Sequence, residues 1–381
     1  MKKKLLSLFC LVIIFNLFFS FNTYSAYADA YTDKSLELIN KLELSEIEGH
    51  FNQIEDFNFY NLLKSIIKGE NKVDFNSIFD YVKSTIFNNV KKIMPTFLTI
   101  ISICIICAVI GELKGSFLEN SISQTIYFVC FLCIASLILL DIINLYKNTL
   151  IVINNLTKTI EIMSPIMLTL MVASGQSASA TLYNPAVVFL SNGIVTIFIS
   201  IVMPLIALQG VFSLINNFSA DFKLNKFIDF ISSCIKWILG LSVTVFGFFL
   251  TTNGIASASF DGISIKLANY TISNTVPIVG GFVKDGFNVM VTCNYLIKNS
   301  IGVVGLIGVF YIILSPVINM LSYSILLKFT AGVLEPFNLS NVSSFCTSTS
   351  KFITHLILVI LIVGILFFIT ILLMIFSTSI F

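Results

Sequence analysis

Four cysteines form two C-x-x-C pairs, Cys104 with Cys107 and Cys130 with Cys133, each inside an apolar stretch. A separation of three puts both thiols of a pair on one helix face. Two adjacent antiparallel helices could gather the four sulfurs into a membrane thiol relay or a zinc site. The surroundings argue against both. Thiolate is the reactive and ligating form, an apolar medium suppresses it, and no Lys stands beside these residues. Buried cysteine more often serves as a small hydrophobe, and that is the reading taken. Cys234, Cys293 and Cys346 stand unpaired.

Other chemistry is sparse. His50 and His355 are far apart; His50 reads as a surface residue and His355 as interfacial at the start of the last apolar element. HExxH, GxSxG, Walker A and Gly-rich dinucleotide patterns are all missing from the sequence. The expectation is a non-enzyme with no catalytic residue, cofactor or metal ligand. Five ionisable residues flank or enter apolar stretches: Asp141, Glu161, Lys236, Asp285 and Glu335. An ionisable group within a span is a functional candidate by default, although each of these can also snorkel to the interface. Lys236 beside Trp237, the single Trp, reads as an interfacial anchor. Glu335 precedes Pro336 and follows Gly332, which suggests a helix end.

Two segments read as pore or hinge candidates. The first is the small polar run from Ser174 through Gly175 and Ser177 to Ala180, too polar to face lipid. It is either a short loop or a water-lined or protein-buried region, where irregular backbone is tolerated at membrane depth. The second surrounds Pro277, Gly280, Gly281 and Gly286. Val276 to Val283 is too short to cross, and Lys284 and Asp285 follow it. Pro removes a backbone donor and Gly permits a turn, so a re-entrant or interfacial hairpin is expected.

The elements that position these residues are set by charge. No charged residue stands between Glu161 and Asp221. Further charge-free runs separate Lys92 from Glu112, Glu119 from Asp141, Lys236 from Asp261, Lys298 from Lys328, and Lys351 from the end of the sequence. About 20 apolar helical residues cross a bilayer core. The 381 residues are 56% hydrophobic and 11% charged, against about 25% charged in soluble domains. The reading is an all-α polytopic integral membrane protein with six to seven transmembrane helices. Its hydrophobic elements fall near 94–111, 124–146, 161–173, 184–214, 231–254, 300–327 and 353–377, with an amphipathic stretch at 147–160. All 22 basic residues are Lys, so bidentate Arg recognition is unavailable. With no basic patch interleaved with aromatics, nucleic acid is not an expected partner.

Before this membrane domain, taken as 94–381, lie two other segments. Residues 1–28 read as a signal peptide: MKKK, an apolar run, and Ala26-Tyr27-Ala28 as cleavage site. Residues 29–93 read as an extracytoplasmic region of three or four short amphipathic helices. Their apolar faces would pack on one another or lie on the membrane. Counting every element as a crossing puts Lys223 and Lys226 outside, against the positive-inside rule. Either 161–173 does not cross or the rule is overridden.

Several long strings carry a family resemblance: Ala173-Ser174-Gly175 with its small-residue tail, NNFSADFKLNKF (216–227), KWILG (236–240), residues 274–305 from Asn274 through the Pro/Gly segment, and LKFTAGVLEPF (327–337). In order and spacing they resemble the stage III sporulation protein AE family of endospore-forming bacteria, across nearly the whole chain. The resemblance implies a multi-pass protein of the mother-cell membrane around the forespore. It implies membership of a channel linking mother cell and forespore, needed for late forespore development, in which this chain is the permease or export-platform-like part. The implied partners are ring-forming proteins similar to secretion-system components, a secretion-type ATPase, a forespore membrane protein and membrane lipid. The alternatives are a general secondary transporter of a small molecule and, less favoured, a membrane thiol-redox protein.

Overall fold

The computed structural model describes residues 32–39, 42, 44–52, 57–69, 75–112, 120–218, 224–275, 280–337 and 339–376. Every regular element among them is helical. Three short helices, α1 (Thr32–Ile39), α2 (Ser45–Phe51) and α3 (Phe59–Ile67), precede long ones. These are α4 (Phe75–Glu112), α5 (Asn120–Ala173), α9 (Asn225–Thr275), α10 (Gly280–Leu334) and α11 (Ser340–Phe376). Between α5 and α9 runs a composite helix: α6 (Ser177–Val188), α7 (Val195–Ile197) and α8 (Met203–Phe218), joined by π-helical segments Phe189–Ile194 and Phe198–Val202.

Six helices among the described residues are long and apolar enough to cross a membrane: Asp80–Val109, Phe128–Ala173, Ser177–Asn217, Asn225–Leu250, Asn288–Leu334 and Asn341–Phe376. The chain is an all-α polytopic membrane protein. Two boundaries differ from the sequence reading. The stretches 124–146, 147–160 and 161–173 are one continuous helix, α5, so 161–173 is not a crossing of its own. Pro165 does not break it; its missing N–H only deprives the Glu161 carbonyl of a partner. Likewise α4 runs unbroken through residue 93. The edge of the membrane segment there is one of composition, not of secondary structure.

The antiparallel pair α10–α11 forms the centre of the bundle. Around it pack α4, α5, α8 and α9. Close approach on α10 depends on glycine: a Cβ on Gly302 would strike Ile375 of α11, and one on Gly305 would strike Met163 of α5. The buried layer between them is continuous, with Met163, Met167, Ile301, Val304, Val363 and Phe367 among its members.

The N-terminal helices pack both on one another and on this bundle. Ile47, Phe51, Phe59 and Leu63 are buried together, with the rings of Phe51 and Phe59 stacked 5.5 Å apart. Phe51 fills the space left by Gly308 of α10, and Phe57 and Tyr81 meet Tyr311. His50 is buried rather than on the surface: its Nε2 lies 2.9 Å from Thr159 Oγ1 on α5. The signal-peptide segment 1–28 and Pro277 lie outside the described residues. So does the rest of 276–279, the turn of the expected hairpin, which falls between α9 and α10.

Candidate functional site: a helix-end junction around Lys298

The link from α5 to α6 is only three residues, Ser174–Gln176, and its geometry follows from Gly175. Gly175 has φ 80°, the left-handed region that glycine adopts at little cost. Its N–H bonds the carbonyl of Val172 at 2.9 Å, and the N–H of Gln176 bonds that of Met171 at 2.9 Å. That pair of bonds is the Schellman arrangement, which satisfies carbonyls otherwise orphaned at a helix end. Ser174 adds a bond from Oγ to the Leu170 carbonyl at 2.7 Å. Of the two alternatives in the sequence reading, the run is therefore a tight loop and also protein-buried: Ser174 and Gln176 are buried, whereas Ser177, opening α6, is exposed.

Lys298 on α10 closes this loop. It is fully buried, and its ammonium donates to Gln176 Oε1 at 3.2 Å and to the Ile375 carbonyl at 3.3 Å. Ile375 is in the last turn of α11, so the cation sits at the negative end of that helix dipole. The Tyr295 ring centroid lies 5.2 Å from Nζ. One turn back on the same face, Asn294 Nδ2 donates to the Ala173 carbonyl at 3.3 Å. A single turn of α10 thus ties together the end of α5, the start of α6 and the end of α11. Sequence reasoning used Lys298 only as the end of a charge-free run. The readable signal was Asn294, Tyr295 and Lys298 on one helix face beside an apolar run.

The other candidate charges are dispersed. Asp141, half-buried on α5, accepts a 2.9 Å bond from Tyr323 OH of α10, whose ring packs edge-on against Phe97 of α4. Glu161, Lys236 and Glu335 are exposed, Lys236 beside an exposed Trp237 and Glu335 opening a 3-10 turn. Asp285 lies within the first turns of α10; Gly280 and Gly281 open that helix, and Gly286 is exposed with open space around it. The structure does not bring these together with Ser174 and Gly175 into one site.

The cysteines do converge, though not as four equals. Cys107 lies near Cys130, and Cys346 of α11 near Cys104. Cys133 is exposed. Among the described residues no group of three His, Cys, Asp or Glu is placed to hold a metal ion. His355 is not interfacial: it is buried, with Nε2 3.2 Å from Ser232 Oγ of α9.

A bundle of six apolar helices with a buried, hydrogen-bonded helix break defines a polytopic α-helical membrane protein. The family pattern of stage III sporulation protein AE matches residues 57–378, and the chain belongs to that family. It is similar to the stage III sporulation protein AE of Bacillus subtilis (strain 168), with 25% identity over 272 residues, 71% of this chain and 68% of the relative. No solved structure matches it.

Proposed function

We propose that this chain is a non-enzymatic membrane component of a channel linking mother cell and forespore, with a permease or export-platform-like role in late forespore development. The observation that carries the reading is the Lys298 junction within a family of sporulation proteins. A helix pair broken by a buried three-residue loop, with Lys298 and Asn294 tying three helix ends, suits a moving part of a transport protein and is costly to keep for packing alone. Burying a lysine costs several kcal/mol unless its hydrogen bonds are met. The proposed location is the mother-cell membrane around the forespore, with residues 29–93 extracytoplasmic. The proposed partners are ring-forming channel proteins, a secretion-type ATPase and a forespore membrane protein. The outward face of α1 and α2 supports docking there, since Asp33, Glu37 and Glu46 are exposed while the apolar face is turned inward.

The test is late forespore-specific reporter activity in a strain lacking this gene, read after engulfment is complete. The reading expects the reporter to fail while engulfment proceeds, with rescue by the wild-type chain. Wild-type reporter activity and mature spores would overturn it and leave a transporter independent of sporulation.

A further inference from the structure

The composite helix α6–α8 makes the span Ser177–Asn217, inside the run between Glu161 and Asp221 that holds no charged residue. At its middle, Asn192, Thr196 and Ser200 recur every fourth residue, and all three are exposed. In a uniform α-helix of about 3.6 residues per turn, a row of fourth residues creeps round the axis. Here the π-helical segments Phe189–Ile194 and Phe198–Val202 intervene. Their wider turns, bonded five residues on, carry the row back, so the three polar side chains stay in line on the outer face. The inner face, with Ser191, Ile194, Val195, Phe198 and Val202, is buried in the bundle.

Hydrocarbon cannot satisfy such groups. Exposed hydroxyls on other spans avoid the problem by bonding back along their own helix. Thr99 donates to the Pro95 carbonyl at 3.0 Å, Ser102 to that of Leu98 at 2.8 Å, and Thr244 to that of Gly240 at 2.9 Å. The side chains of Asn192, Thr196 and Ser200 make no hydrogen bond to a described residue. Three unmet polar groups in one row, at the middle of a span, call for a polar surface from outside the chain.

An amide and two hydroxyls each donate and accept, so the row is complementary to itself. Two copies inserted the same way and related by a two-fold axis along the membrane normal lay this helix against its own counterpart, like residue near like residue. The small Thr196 and Ser200 side chains let the backbones approach, and Val188, Ile197 and Ile201, exposed beside the row, supply apolar packing. No charge opposes the approach, because the run has none. We propose that this face pairs two copies of the chain within the membrane, through interhelical hydrogen bonds of Asn192, Thr196 and Ser200. The pairing rests on the surface of the single chain and is independent of the sporulation role.

Co-capture of two differently tagged full-length copies, co-expressed and extracted in mild detergent, tests it. The second copy should come down with the first. Asn192→Leu should raise the Kd of pairing about tenfold, and the triple variant Asn192→Leu, Thr196→Val, Ser200→Ala should behave as single copies. Since these side chains make no bond within the described chain, the triple variant should keep the thermal stability of the parent, whereas a structural role would lower it. Unpaired parent chains, or a triple variant that still pairs, overturn the proposal. In native membranes, mild oxidation should join Thr196→Cys copies by a disulfide, while the parent and Leu241→Cys, exposed on α9, stay single. Cross-linking of Thr196→Cys only to a different protein overturns self-pairing and gives the face to another membrane helix. Rapid modification of that thiol by a membrane-impermeant methanethiosulfonate also overturns it, marking a water-filled lumen. A normal forespore reporter with pairing intact would sink the channel proposal and leave the pair standing.

Discussion

At the residue scale two buried side chains, Lys298 of the junction and His50 of α2, make sharp claims. Replacing Lys298 by Met keeps the length but leaves Gln176 Oε1 and the Ile375 carbonyl short of a charged donor. Hydrogen bonds to charged groups contribute about 1.5–3 kcal/mol each, offset here by the desolvation that Met avoids. The expected outcome is a protein that still inserts and purifies, with near-unchanged thermal stability in detergent but impaired complementation of the sporulation defect. Lys298→Glu, which sets a carboxylate against two acceptors, should prevent stable folding. Full complementation by Lys298→Met would reduce the lysine to packing. The second claim concerns His50. Burial is the main cause that lowers its pKa below the ordinary 6.5, and nearby Lys158 adds to it, while a backbone bond at Asn155 opposes. Its Nδ1 is buried without a partner. A depressed histidine pKa means the detached state binds more protons below 6.5. Docking of α2 is therefore fully favourable above that pH and weakens as pH falls from 6.5 through the lowered value. Hydrogen exchange of residues 45–51 should accelerate on acidification through this window. His50→Gln should flatten the response; an unchanged pH dependence in that variant would assign it to another group.

At the scale of elements, glycine contacts decide how helices meet. Gly308→Leu would collide with the Phe51 ring and expel α2 from its seat on α10. Overpacking of this kind costs about 1–3 kcal/mol. The expected result is protease sensitivity confined to residues 32–69, with the six spans intact. Adding Phe51→Ala should restore much of the protection, and failure of the pair to compensate would mean the contact is not what seats α2. Much of this level was legible in the sequence. Each of the six spans overlaps a charge-free run, since lipid demands apolar surface whatever the packing. The length of α5 was not legible, because Asn154, Asn155, Lys158 and Glu161 look like an interruption when only polarity is read. The helix continues because no glycine stands there and Lys158 is exposed. The Lys298 junction was hidden for a different reason. Its partners come from α5, α6 and α11, and no local spacing encodes a meeting of elements 77 to 122 residues apart.

For the whole molecule, continuity of α5 removes the conflict between span count and charge. With six crossings and the N-terminal side of the first span outside, as proposed, the α4–α5 connection, the α8–α9 connection and the α10–α11 turn all fall inside. Lys223 and Lys226, which a count of seven crossings puts outside, then fall inside, as the positive-inside rule prefers, whereas Lys266 and Lys284 fall outside. The Lys298 junction then belongs to the outer end of the bundle. The helix break stands on the side of the partners proposed outside. Such an arrangement also fixes both ends of the described chain on one side, because the number of crossings is even. Fusion of alkaline phosphatase after Phe376 should therefore be active, and the same fusion in the α8–α9 connection at residue 220 inactive. The reverse pattern at both sites would invert the whole molecule while keeping six spans. Activity at only residue 220 together with an active fusion before α4 would instead mean that one of the first three helices does not cross, and the charge distribution would again need another cause.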